Sequence, residues 1–260
     1  MSTRWAFNCF PRVLTNAATV LLGNPMKSIF VAVPHYGALV PDALVSLTQA
    51  SQRHRITLTT NGASLLAHNF NCLWCTALNQ RKQRDLTHFA MHHADVAADP
   101  GWIDTMLAEM ERVGADVISA VIPIKDGRGL TSTGLQDPET LHIRRLTMKE
   151  AFDLPATFDA AAAGSPQHHL MVNTGLWVCR FTEPWIEEAH FEIRDAIVKN
   201  CRGRFQANVL SEDWNFSGWC ARRGLRVFAT RLVAVAHHGQ ATFRNDSPWG
   251  EWLTDVGDPK

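Results

Sequence analysis

The chain has 260 residues, 46% hydrophobic and 19% charged, which is the composition of a soluble globular protein with core enough for one large domain. Its 25 basic and 25 acidic side chains cancel, excluding a global basic field that would draw it to nucleic acid or an anionic membrane, though not a local patch. No stretch reaches the ~20 apolar residues that cross a bilayer, and Val13 to Gly23 is short, interrupted by Asn16 and Thr19, and without a small-residue cleavage site, so the expectation is a cytoplasmic chain with no signal peptide.

Residues 1–27 read as an N-terminal extension. Ser28 to Pro34 (SIFVAVP) is an apolar, β-branched run that stops at a proline, and reads as a buried strand. His35-Tyr36-Gly37 is the loop at its carboxyl end. Pro41 to Gln52 fits a helix with proline near its start. Arg55 to Thr60 is a second strand, closed by an Asn61-Gly62 turn. A long helix runs from Ala63 to Leu78, and Leu86 to Met91 is a third strand. Asp99-Pro100-Gly101-Trp102 turns into a helix over 102–113, and Asp116 to Ile122 is a fourth strand. Strand and helix alternate throughout this half, which predicts a parallel sheet covered by helices.

After Pro123 the pattern changes. Lys125 to Gly134 is rich in Gly, Ser and Thr and reads as a loop; Leu141 to Leu146 is a candidate strand and Phe152 to Gln167 is irregular. Leu170 to Arg180 has strand character around an Asn-Thr-Gly turn. Residues 184–199 and 212–223 read as helices, 225–230 and 232–236 as short strands, and 240–260 as a polar tail.

Cysteines are present at 9, 72, 75, 179, 201 and 220. Cys72 and Cys75 form a C-x-x-C inside a helical pattern with no second pair, so buried reduced thiols are expected rather than a zinc or redox site. Trp74, Trp102, Trp177, Trp185, Trp214 and Trp219 fall in structured stretches and read mostly as core. Trp249 and Trp252 could pack or stack on a sugar or base.

Chemistry-bearing residues gather at strand ends. His93-Ala94-Asp95 follows the third strand, and in open α/β sheets ligands bind at that end. An imidazole and a carboxylate there can hold a divalent metal, and the metal a diphosphate. Ser211-Glu212-Asp213-Trp214 opens a helix. The same residues make an ordinary N-cap with first-turn acids. A last strand runs into His237-His238-Gly239, where alternation sends the two rings to opposite sides.

Taken in order, Pro34-His35-Tyr36-Gly37, His93-x-Asp95, Asn173-Thr174-Gly175, Glu212-Asp213 and His237-His238-Gly239 resemble the motifs of GT-A glycosyltransferases over roughly residues 28–240. Ala67-His68-Asn69 also resembles the (A/R)-x-N helix of family-2-like members. The first acid of the family's DxD is His93 here, a departure that makes Asp95 the safer metal ligand.

The resemblance implies a GT-A (Rossmann-like) α/β fold. Its mostly parallel sheet is flanked by helices in a single domain over 28–240, followed by a tail at 241–260. A nucleotide-sugar half would cover 28–123 and an acceptor half 124–240. It implies Mn²⁺ or Mg²⁺ on Asp95 and His237, with His93 and His238 as further candidates. The donor would be a nucleotide sugar, UDP- or GDP-linked. It would touch Pro34, His35, Tyr36, Asn69, His93, Asp95 and Gly175, with Arg128, Thr131 and Ser132 from the glycine-rich loop, which could also close as a lid. Asp213 would be the general base of an inverting transfer and Glu212 an acceptor contact. The acceptor class stays open among saccharide, lipid, protein and modified nucleobase. Two other readings remain: a metallohydrolase using His92, His93, Asp95, His237 and His238, and a nucleotide-sugar-binding protein without turnover.

Overall fold

A computed structural model describes residues 25–200 and 202–255. The first half follows the alternating pattern. Strand β1 (Ser28–His35) is buried along nearly its whole length and pairs in parallel with β2 (Arg55–Gly62). Between them lies helix α1 (Pro41–Thr48), with proline in its first turn. Helix α2 (Leu66–Arg84) carries three basic residues in its last turn, where they complement the helix dipole. It leads to β3 (His88–His92) and the short β4 (Val96–Ala98). Helix α3 (Trp102–Val113) lies between Gly101 and Gly114, both left-handed, and is followed by β5 (Val117–Ala120).

The second half is built of excursions. They are β6 (Leu130–Gln136), β7 (Ile143–Thr147), helix α4 (Met148–Asp153), β8 (Thr157–Phe158) and β9 (His169–Met171). Then come β10 (Leu176–Arg180), the single turn α5 (Trp185–Glu188), and a hairpin of β11 (Arg194–Lys199) and β12 (Phe205–Leu210). Helix α6 (Glu212–Arg222), β13 (Val227–Thr230), β14 (Val235–His238) and β15 (Thr242–Arg244) complete the order.

The central sheet has seven strands in the order β2-β1-β3-β10-β5-β13-β8. It is mixed: β10 and β8 oppose the direction shared by the other five. One face packs on α1 and α3 through Ile29, Val31, Trp102 and Met106. The other face holds an aromatic cluster around Trp74, whose ring centroid lies 4.6 Å from that of Phe89 and 5.1 Å from that of Phe181. β4 leaves this sheet to pair with β14, which brings 96–98 beside 235–237.

Three expectations are corrected, and a fourth holds. The stretch 125–134 is loop only at its start: from Leu130 it is β6, which pairs with both β7 and β9. The helix expected over 184–199 is one turn followed by strand β11, because 194–199 finds a partner at 205–210. Residues 170–180 do have the expected strand character around Asn173-Thr174-Gly175, as two strands that fall in two sheets. The tail adds β15 and folds back on the glycine-rich loop, with Trp252 N donating to the Arg128 carbonyl at 3.2 Å. Gly129 and Gly250 make that approach possible. Both have positive φ, and a Cβ on Gly129 would meet Gly250 Cα at 2.6 Å.

Cys179 and Cys220 are buried thiols as expected, but Cys75 is exposed and Cys72 half-buried on α2; positions 9 and 201 lie outside the described residues, as does most of the 1–27 extension. No described helix is long and apolar enough to cross a membrane.

Candidate functional site

Five strands of the central sheet end at one edge, and the His93-Ala94-Asp95 turn leaves β3 there. Two backbone bonds fix it. His93 N donates to the Gly175 carbonyl at 2.8 Å, and His238 N donates to the Asp95 carbonyl at 2.8 Å. The motif is thereby held between the loop before β10 and the end of β14.

The paired histidines divide the work. His92 is fully buried, with Ser46 Oγ at 2.9 Å from Nε2 and the His93 carbonyl at 3.0 Å from Nδ1. Its ring lies against Trp102, and burial pulls its imidazole down to about 4. It is a core residue. His93 turns the other way. Its Nε2 is buried with no hydrogen-bond partner among the described residues. Burial lowers its pKa, while Asp213 and Asp95 both pull upward, so this ring sits between two carboxylates. A Cβ on Gly175 would press on Ile122 at 3.1 Å and stand in ordinary contact with His93 Nδ1 at 3.7 Å.

Asp95 Oδ2 lies 3.8 Å from His237 Nε2. His237 Nδ1 is 2.8 Å from the Pro123 carbonyl. A carbonyl only accepts, so Nδ1 carries the proton and Nε2 presents its lone pair to Asp95. Burial pulls the His237 imidazole down to about 4, which keeps it neutral. The ammonium of Lys125 is ion-paired to the same Oδ2 of Asp95. Burial raises the Asp95 carboxyl, but the Lys125 bond, His237 and His93 outweigh it and hold it below its ordinary value. His238 faces away, with Nε2 3.6 Å from Asp42 and Nδ1 3.1 Å from Thr242 Oγ1. It does not join this cluster.

These residues fit a divalent cation to a limited degree. Among the described residues no group of three or more His, Cys, Asp or Glu converges. Asp95 and His237 supply one carboxylate and one oriented imidazole, a donor pair suited to Mn²⁺ or Mg²⁺ only if phosphate oxygens and water complete the shell. His93 and His238 stand outside that pair.

Asp213 sits in the first turn of α6. Its Oδ1 accepts from both the amide and the hydroxyl of Thr174. Asn173 shapes that turn by accepting at Oδ1 from Gly175 N (2.9 Å) and Leu176 N (3.2 Å). Ser217, one turn along α6, bonds both the amide and the carbonyl of Val172 and clamps the helix to the same loop. Glu212 is buried beside Asp213. Desolvation raises its carboxyl to about 7, reinforced by the Asp213 charge and a hydrogen bond between the two side chains. A neutral acid thus supports an adjacent one, the pattern of two carboxyls pushed toward different roles.

Two residues escaped the sequence reading, Lys125 beside Asp95 and Arg145. Arg145, on β7, lies with its guanidinium 4.2 Å from the centre of the Trp214 ring. Burial lowers its pKa, against the pull of Asp213 and Asp255. An arginine in a weak strand carries no sequence signal; only pairing with β6 brings it here. Arg128 is drawn into the loop's own structure. It forks onto Asp126 at 3.0 and 2.7 Å and lies 5.1 Å from the centre of the Trp252 ring. The loop is strapped by the tail, so the free lid is corrected. Thr131 is buried and donates to the Leu146 carbonyl, and Trp249 is packed with its Nε1 on the Arg244 carbonyl. Beyond α6, a groove of about 680 Å³ opens between the β11–β12 hairpin and the helix, lined among others by Trp214, Asn215, Arg194 and Arg222.

On the donor side, Pro34 is buried within β1 and His35 Nδ1 contacts the Gly37 carbonyl at 2.8 Å. Tyr36 is 85% exposed. Asn69 does not reach outward. It is fully buried, its Nδ2 donating to the Asn61 and His35 carbonyls and its Oδ1 accepting from Asn61, so it ties α2 to the ends of β1 and β2.

No family model and no curated protein matches the chain. Solved structures resemble it at a distance. "A197 from STIV" is 14% identical with a TM-score of 0.45, over 82% of this chain and 86% of that one. A UDP-glucose pyrophosphorylase complexed with UDP-glucose is 10% identical at 0.39, over 85% and 92%. A putative glucose-1-phosphate thymidylyltransferase from Bacillus anthracis, in complex with a sucrose, is 11% identical at 0.36, over 85% and 89%. At such identities and scores they identify neither a family nor an activity.

Proposed function

We propose that this protein transfers a sugar from a nucleoside-diphosphate donor, UDP- or GDP-linked, to an acceptor hydroxyl, with inversion, as a hexosyltransferase-type glycosyltransferase (EC 2.4). The observation that carries the reading is the meeting of two unlike groups at one sheet edge. Asp95, His237 and Lys125 form a charged end suited to a diphosphate. Asp213, held by Thr174, forms a carboxylate end suited to an acceptor hydroxyl. His93 lies between them, under the influence of both acids.

In the transfer the acceptor oxygen attacks the anomeric carbon. The bond from that carbon to the diphosphate oxygen breaks, its electron pair leaving with the nucleoside diphosphate. Asp213 takes the acceptor's proton. Thr174 fixes the Asp213 oxygen that does not receive it. Glu212, protonated below about pH 7, donates to the Asp213 side of the site and leaves one negative charge there rather than two. Asp95 and His237 would hold Mn²⁺ or Mg²⁺, which supplies positive charge to the leaving diphosphate when bound. The base and ribose would lie near His35 and Tyr36. The acceptor, whether saccharide, lipid head group, protein or modified nucleobase, would enter from the side of Trp214 and the neighbouring groove.

The test is a melting-temperature panel of nucleoside diphosphates and nucleotide sugars with and without Mn²⁺. A Mn²⁺-dependent rise for one nucleotide family, lost in Asp95→Ala, is expected. No rise with any nucleotide would overturn the reading. So would an Asp95→Ala protein that responds like the wild type.

A further inference from the structure

We propose that the groove beside α6 binds an anionic saccharide, a sugar bearing a carboxylate or a phosphate, and that this is the acceptor presented to Asp213. The inference rests on the reading of Asp213 as the base of a sugar transfer, and it narrows the acceptor to one chemical class.

Three observations carry it. Gln136, at the end of β6, is only 7% exposed and lines the groove, yet its side-chain amide has no hydrogen-bond partner among the described residues. A buried carboxamide with neither donors nor acceptor used is suited to a ligand that supplies oxygens. Arg222, also in the lining, makes no ion pair among the described residues, whereas its neighbour Arg223 is paired with Glu188. The two groups meet over Gly218: a Cβ there would lie 3.3 Å from Arg222 Nη1 and 3.8 Å from Gln136 Oε1. The glycine leaves that point open, and a guanidinium fork beside a free amide is a receptor for a carboxylate or a phosphate. Finally, no Asp or Glu among the described residues lines the groove. Arg194 on the hairpin wall is already matched by Glu192 at 2.7 Å, so the uncompensated charge is that of Arg222.

Position along the helix links this point to the reacting end. Trp214, Gly218 and Arg222 are spaced four apart, so they share the groove-facing side of α6. Arg222 leans back one turn to reach Gly218, the direction in which helical side chains point. The receptor therefore lies about five residues, roughly 7 Å of helix rise, from Asp213. That separation is the scale of one sugar ring. An acceptor can thus hold its anionic group on Arg222 and Gln136 while a hydroxyl of the same or the next ring meets Asp213. A neutral sugar would bond Gln136 and leave the Arg222 charge to water; only an anionic one uses both.

The test uses the full chain without nucleotide and reads dissociation constants by saturation-transfer NMR for glucuronate, glucose 6-phosphate and glucose at one ionic strength. Wild type is expected to bind at least one of the anionic sugars roughly tenfold or more tightly than glucose, and the better of the two names the anion. Arg222→Gln should bind neither better than glucose. Gly218→Ala puts a Cβ where the two side chains meet and suits a helix interior. It should lose most of the preference too, so a folding defect in one variant does not decide the outcome. Equal constants for all three sugars in wild type overturn the proposal, as does a preference that survives both substitutions. So does inorganic phosphate bound as tightly as a preferred glucose 6-phosphate, because the sugar would then contribute nothing. The nucleotide panel separates this failure from that of the underlying reading. A wild type that prefers an anionic sugar but answers to no nucleotide keeps the groove and loses the transfer, while the reverse loses the groove alone.

Discussion

At the edge of the sheet where β1, β3 and β13 begin, polar side chains close off strand ends. Ser28 Oγ donates to the Arg84 carbonyl at 2.9 Å, Arg55 Nη2 donates to the same carbonyl at 2.8 Å, and Arg180 Nε donates to the Ala115 carbonyl at 2.9 Å. Asp116 accepts from Arg226 N, and Glu111 pairs with both Arg180 and Lys27. At the opposite edge, Asp95 pairs with Lys125 and faces His237, and Glu212 is bonded to Asp213, which also accepts from Thr174. Each edge has a buried histidine whose Nε2 has no hydrogen-bond partner among the described residues, His88 at the first and His93 at the second. Around His88 the cations Lys27 and Arg180 share the Glu111 carboxylate, whereas His93 faces the carboxylates of Asp213 and Asp95, the latter paired with Lys125. The same residue types thus serve cohesion at one edge and are held in tension at the other. Local conflict of that sort is tolerated where a site gains from it.

The largest predicted effect would break this contrast if it failed. Asp213→Asn keeps an oxygen to accept from Thr174 and should melt within a degree or two of wild type, yet transfer should fall about 10²–10⁴-fold for want of the general base. Transfer at the wild-type rate would reduce Asp213 to a helix-capping residue.

Glu212 sharpens the contrast through pH. Burial and the Asp213 charge raise its carboxyl from 4.5 to about 7. The native state therefore keeps a proton that the unfolded chain has released. The stabilisation is complete below pH 4.5 and is lost as pH rises through about 7. Its size is at most about 3 kcal/mol. Melting temperatures from pH 5 to 8 should fall more steeply for wild type than for Glu212→Gln. Parallel curves would mean that Glu212 ionises like a surface acid.

The cohesive edge makes the reverse prediction. Arg180→Ala removes a half-buried donor from the Ala115 carbonyl and a partner from Glu111. It should cost about 1–2 kcal/mol in urea unfolding and leave nucleotide affinity unchanged. A matching loss of affinity would show the two edges to be coupled.

How far the sequence discloses this arrangement differs from element to element. β1 and α3 were readable almost to the residue, because apolar runs and 3.6-residue periodicity decide them locally, as does the Gly101 turn. The hairpin over 194–210 was not. Apolar residues near 186, 189, 193 and 197 also suit a helix, and only pairing with a strand beyond residue 204 settles the matter. β6 was hidden for a related reason: Gly, Ser and Thr suggest a loop until β7 and β9 enclose them. In the site, the neighbourhood of Asp95 and His237 follows from strand-end chemistry, but Lys125 and Arg145 reach it through non-local pairings that no short motif encodes. Asn69 erred the other way. Its motif suggested a ligand contact, and its amide is used up holding β1, β2 and α2 together.

The smallest effect concerns Tyr36. Its ring is 85% exposed on the loop after β1, where the fold gains nothing from it. Beside it His35 is fixed, with Nδ1 on the Gly37 carbonyl and its ring so close to Gly62 that a Cβ there would come within 2.9 Å. The loop is thus anchored by one residue and presents the next. A nucleobase stacked on that ring would gain about 1 kcal/mol, close to a fivefold change in affinity. Tyr36→Ala should therefore melt like wild type without ligand and bind its nucleoside diphosphate about fivefold more weakly, while Tyr36→Phe, keeping the ring, should bind normally. Equal affinity in all three would leave His35 and its backbone as the only parts of this loop near the base. The donor half of the site would then owe its selectivity to the diphosphate end, where Asp95, His237 and Lys125 meet.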